Sequence, residues 1–159
     1  MTDYERTRDY AVRYLSHAPR SRKQLRDKLT EKDFSAEAIT AVSHLLEEKG
    51  YINDVVFAKN YISHKTRLNN FGKRRIVIEL LKKGVGKDDI MTAYQQAEEN
   101  DETRDEAAAA TRALAKRLAR KDYAAIKKDP KEMQKLMGYL VRRGFSYDVV
   151  KEVLKNYED

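Results

Sequence analysis

The residues 65–75 read KTRLNNFGKRR, and they set Lys65, Arg67, Lys73, Arg74 and Arg75 around the predicted start of a helix, FGKRRIVIELLKK. A helix start already attracts anions through its free amides and its dipole. Cations placed there work against the dipole, and a phosphate backbone or an acidic protein surface would relieve the conflict. The block is therefore a candidate contact for nucleic acid or for an acidic partner, with a solvated face as the competing reading. Arg112, Lys116, Arg117, Arg120 and Lys121 form a second candidate. Helical spacing spreads them over an exposed face, which solvation explains equally well. Arg142 and Arg143 close a helix, where complementing the dipole is reason enough for them.

Chemistry of other kinds finds no footing. There is no glycine-rich phosphate loop and no dinucleotide fingerprint, and His17, His44 and His64 stand 27 and 20 residues apart, without metal-ligand spacing. No nucleophile sits beside a base, and the carboxylates fall in helix first turns or in the acidic stretch EENDETRDE (98–106). The expectation is a protein that is not an enzyme and carries no cofactor or metal. Tyr10, Tyr14, Tyr61 and Tyr94 stand at core-like helical positions and are taken as core before base-stacking platforms.

The 159 residues include no cysteine, which points to a reducing cytoplasm, and no apolar run suggests secretion or membrane insertion. The net charge of +7 is unevenly spread. Residues 65–87 carry 8 basic groups and 1 acidic, residues 88–106 carry 1 and 8, and residues 107–159 carry 13 and 7. Alternating blocks of this kind steer a charged partner or assembly.

The elements that must hold these residues repeat. LTEKDFSAEAI (29–39), LLKKGVGKDDI (80–90) and LVRRGFSYDVV (140–150) each run from a helix end through a cap to the next helix start. Gly84 and Gly144 suit a left-handed cap, with Asp33 in the same place; Ser35, Gly86 and Ser146 are the following N-caps. Phe34, Val85 and Phe145 lie five residues before Ile39, Ile90 and Val150, the spacing of a hydrophobic staple. Leu25, Leu29 and Ile39 recur 51 residues on as Ile76, Leu80 and Ile90, and 111 residues on as Leu136, Leu140 and Val150. Ser21 with Gln24 makes a capping box, Asn53 caps a further helix, Asp129 with Pro130 starts another, and Gly138 lies inside a helix. No segment alternates with period two. The expectation is an all-α chain of about nine helices, in three tandem three-helix repeats over residues 1–52, 53–100 and 101–159.

GYINDVVFAKNYI, GKRRIVIELLKKGV and KEMQKLMGYLVRRGFSYDVV, in this order, resemble the RecX family of bacterial regulatory proteins, from about Ala11 to Leu154. Gly72, Arg75, Ile76, Glu79, Leu80, Lys83 and Gly84 stand at the family's spacing. Lys73 occupies a place where the family often has proline, and Asp33 one where it commonly has glycine. The resemblance implies an elongated, curved array of three-helix repeats. It also implies a monomer that lies in the groove of a RecA recombinase filament on single-stranded DNA, hinders filament growth, and depresses ATP hydrolysis, strand exchange and the SOS response. A helical protein that binds DNA alone through its basic regions is the alternative, and a scaffold for some other acidic partner is a third.

Overall fold

The structure, a computed structural model, describes residues 1–99 and 105–157, and every regular element in them is an α-helix. The helices are α1 (Asp3–His17), α2 (Arg22–Glu31), α3 (Ala36–Glu48), α4 (Asp54–Arg67), α5 (Lys73–Lys82), α6 (Lys87–Glu99), α7 (Asp105–Leu118), α8 (Tyr123–Lys127), α9 (Pro130–Arg142) and α10 (Tyr147–Asn156). That is one more than expected. The connection DYAAIKKDPKE holds the short helix α8: Asp122 caps it by accepting from the Ala125 amide at 3.2 Å, and buried Tyr123 anchors it by donating to the Leu154 carbonyl at 2.6 Å. The middle of the acidic stretch, 100–104, lies outside the described residues.

The caps carry the repeat. Ser21, Ser35 and Ser146 each accept from the amide three residues on, and Asn53 does the same for α4. A capping box at Thr2 and Glu5, not anticipated from sequence, starts α1. The three helix ends that share the repeated motif close identically. Phe34, Val85 and Phe145 amides return to Leu29, Leu80 and Leu140 carbonyls, and Asp33, Gly84 and Gly144 amides to Thr30, Leu81 and Val141. This pair of bonds satisfies carbonyls that a helix end would otherwise leave open. Asp33, Gly84 and Gly144 all take the left-handed conformation, with φ of 61°, 86° and 100°.

Two compact units result. The first comprises residues 1–59 and 80–93, with a core of Ala11, Leu25, Leu29, Ile39, Val42, Leu46 and Ile52. The second comprises residues 60–79 and 94–159 and buries Ala113, Leu114, Leu136, Leu140, Phe145, Val150 and Leu154 among others. Of the four tyrosines expected in the core, Tyr94 is buried, while Tyr10, Tyr14 and Tyr61 are half-buried. Gly138 is not a packing requirement, because a β-carbon there would meet only the movable end of Arg142.

Each unit contains the same kind of joint between helices. In the first, the C-terminal end of α5 meets the N-terminus of α2: the buried Ser21 hydroxyl donates to the Lys83 carbonyl at 2.5 Å, and Gly84 lies against Lys23. The Arg22 amide beside it donates to the Asp54 carboxylate at 2.9 Å, and the Arg22 guanidinium pairs with Glu47 at 3.0 Å. In the second, the C-terminal end of α9 meets the N-terminus of α5. There the Gly72 amide donates to the Arg143 carbonyl at 2.8 Å and the Arg74 amide to the Gly144 carbonyl at 3.1 Å.

Two outcomes test this account. Gly144→Ala puts a β-carbon 2.5 Å from the Arg75 amide nitrogen at a left-handed φ. It should cost about 2–4 kcal/mol in denaturant unfolding. Gly50→Ala, left-handed but with nothing within 4 Å, should cost only about 1 kcal/mol. The second outcome concerns Asp54, whose carboxyl is raised above the usual range chiefly by burial, with Asp89 and Glu47 adding to it and the Arg22 amide opposing. A carboxyl raised on folding binds its proton more tightly in the native state, so its ionisation costs stability. The stability of the parent relative to Asp54→Asn should therefore rise as pH falls through the folded pKa, as read by urea unfolding at neutral and mildly acidic pH.

Candidate functional site

All the candidate cations fall in the second unit. Lys65 and Arg67 lie in the last turn of α4, Lys73, Arg74 and Arg75 in the first turn of α5, Arg112, Lys116 and Arg117 on α7, and Arg120 and Lys121 in the turn after it. Their environments divide them into two groups that the sequence did not separate.

Arg112 belongs to the framework. Rather than facing solvent, its Nε donates to Asn70 Oδ1 at 2.8 Å and its Nη2 to the Thr66 carbonyl at 3.2 Å. Asn70 is buried with φ of 54°, and its carbonyl also accepts from Arg143 Nε at 3.1 Å, while Arg143 Nη2 bonds the Asn69 carbonyl. Two guanidiniums thus satisfy the carbonyls at and beyond the end of α4, where the dipole is negative. Arg143 does more than complement the end of its own helix.

The N-terminus of α5 is likewise filled from within. The Lys73 amide donates to Glu106 Oε1 at 3.1 Å and the Arg74 amide to the Gly144 carbonyl. The conflict between the cations and the dipole is met by the chain itself, and these two amides form no cradle for an external phosphate. What remains available is side chains. Lys73 and Arg74 are exposed, as are Lys116, Arg117, Arg120 and Lys121. Arg120 holds φ of 67°, a conformation that costs a residue with a β-carbon about 1 kcal/mol.

Between these groups runs an alternation of cations and rings. Arg117 lies 5.0 Å from the centre of Tyr139, Arg143 5.6 Å from Tyr139 and 4.9 Å from Phe71, and Arg75 3.7 Å from Phe71. Lys65 continues it, 5.6 Å from Phe71 and 5.3 Å from Tyr61. Glu79 pins one end: it pairs with Arg75 at 3.4 Å and accepts from Tyr61 Oη at 2.7 Å. Burial and that carboxylate hold the Tyr61 hydroxyl well above the usual phenol range, so it stays a donor. Phe71 and Tyr139 were not candidates from sequence. A signal existed, however: Tyr61 with Lys65, Phe71 with Arg75 and Tyr139 with Arg143 are all aromatic–cation pairs four residues apart, neighbours on a helix or its threshold. His17, His44 and His64 are exposed, and no group of possible metal ligands occurs among the described residues.

Comparison with known proteins agrees with the fold. Residues 8–43 match the model of the first RecX three-helix domain, residues 53–93 that of the second and residues 105–154 that of the third. The regulatory protein RecX of Clostridioides difficile is 32% identical, over 95% of this chain and 68% of its own length. That of Thermobifida fusca is also 32% identical, over 96% and 80%. The crystal structure of RecX from Lactobacillus salivarius superposes with a TM-score of 0.76 at 24% identity, covering 96% of this chain and 95% of that one, and supports the fold. Three helical domains in order, with two relatives above 30% identity that are matched over nearly all of this chain, show that the chain belongs to the RecX family of regulatory proteins.

Proposed function

We propose that the protein is a non-enzymatic regulator that binds the RecA recombinase filament on single-stranded DNA. It limits filament growth, ATP hydrolysis and strand exchange, and so tempers recombination, DNA repair and the SOS response in the cytoplasm. Family membership supports the partner, and no helix among the described residues is long and apolar enough to cross a membrane. The observation that carries a charged, extended interface is the run of alternating cations and rings on the second unit. Its inner arginines are held by carbonyls and a carboxylate, so the exposed cations Arg74, Lys116, Arg117, Arg120 and Lys121 are presented from a fixed base. The strain kept at Arg120 favours a role for that side chain, since glycine would fill the same turn without it.

A second reading rests on the same run. Cations interleaved with aromatic rings also suit single-stranded DNA directly, through phosphate neutralisation and base stacking. Single-strand-dependent ATP hydrolysis by the RecA of the same organism, titrated with this protein at two DNA concentrations, separates them. Action on the filament gives inhibition at substoichiometric protein that extra DNA does not relieve; competition for the strand gives inhibition only when protein suffices to cover the DNA, and extra DNA reverses it.

Arg74→Glu, Lys116→Glu and Arg120→Glu combined should leave unfolding near the parent value and raise the protein needed for half-inhibition about tenfold. Parent-like inhibition would remove these residues from the interface. Arg120→Gly should separate stability from activity. Relief of the left-handed strain should stabilise the fold by about 0.5–1 kcal/mol, while the same titration shows weaker inhibition.

A further inference from the structure

A cleft of about 170 Å³ in the second unit is lined by Thr66, Phe71, Lys73, Tyr94, Glu98 and Glu106. Tyr94 is 6% exposed, and its hydroxyl is buried without a hydrogen-bond partner among the described residues. A buried, unpaired phenol costs free energy comparable to a lost hydrogen bond, so its persistence calls for an occupant. The surroundings select the occupant's charge. Glu98 and Glu106 flank the cleft. Phe71 and Tyr94 supply aromatic walls, and the Lys73 ammonium already sits 4.6 Å from the centre of the Tyr94 ring. Lys73 makes no ion pair with a carboxylate among the described residues. The chain's own cation thus rests on the ring face.

We infer that this cleft is a socket for one cationic side chain of a bound protein, and that Lys73 is the stand-in which that side chain displaces. A guanidinium fits better than an ammonium: its plane stacks on an aromatic wall while its several N–H groups reach Glu98, the free oxygen of Glu106 and the lone pairs of the Tyr94 hydroxyl. Burial, with Glu106 nearby, holds the Tyr94 hydroxyl well above the usual phenol range, so it stays protonated. That the cation comes from the recombinase rests on the function proposed above; the socket itself is tested without recombinase, so the two fail separately.

The test titrates the full chain with N-acetyl-arginine amide, following backbone amide shifts around residues 66, 71 and 94 by NMR. Saturable binding in the millimolar range is expected. Tyr94→Phe keeps the ring and should weaken it about fivefold, and Lys73→Ala, which leaves the capped amide in place, should tighten it about fivefold by vacating the socket. The inference is overturned if N-acetyl-glutamate amide binds as well as the arginine compound, if no saturable shift occurs, or if both variants bind like the parent while their unfolding is also unchanged. A variant that unfolds is replaced by Glu98→Gln, at an exposed position, for which weaker binding is expected and unchanged binding counts against the socket.

Discussion

The structure depends on delivering the carbonyl end of one helix to the amide end of another. A helix leaves four amides and four carbonyls unpaired, and packing two such ends together without partners would strand several polar groups at about 1–3 kcal/mol each. Here the Lys83 carbonyl accepts from the Ser21 hydroxyl in the first unit, and the Arg143 and Gly144 carbonyls accept from the Gly72 and Arg74 amides in the second. The dipoles meet positive end to negative end, which is the favourable order. Because both carbonyl ends close in the same left-handed turn, the chain returns to nearly the same eleven residues each time it makes one.

That return is why so much of the fold was legible. The left-handed cap at Asp33, the serine N-caps, the box at Ser21 and the start at Pro130 are all local, and local spacing is what a sequence displays. What escaped was longer in range. α8 depends on Tyr123 reaching the Leu154 carbonyl, 31 residues away, and Arg112 turns inward because Asn70, 42 residues earlier, offers it a carbonyl oxygen on its side chain. A cation at helical spacing looks the same whether it meets water or a buried amide. The division of the chain into units cuts through the second set of helices, which periodicity alone does not foresee.

The arginines are the residues in which fold and function compete. Arg112 and Arg143 are consumed by carbonyls, and Arg75 is shared between Phe71 and Glu79. Each uses the planar, many-donor guanidinium that lysine lacks. The lysines of the second unit other than Lys65, with Arg74, Arg117 and Arg120, are left at the surface. A basic block thus serves two ends at once, tying down a turn with some of its charges and projecting the rest.

Asp33 sets one turn of the repeat apart from the other two. It occupies the place of Gly84 and Gly144, with the same turn and the same bonds, yet it is exposed and carries a side chain where each glycine has only hydrogen. In the two joints that space is taken up by Lys23 and Arg75 of the receiving helix. A third receiving helix would collide with the aspartate before its amides came within reach. Asp33 therefore keeps the turn and its bonds without the close approach that Gly84 and Gly144 allow to the helix start beside each of them.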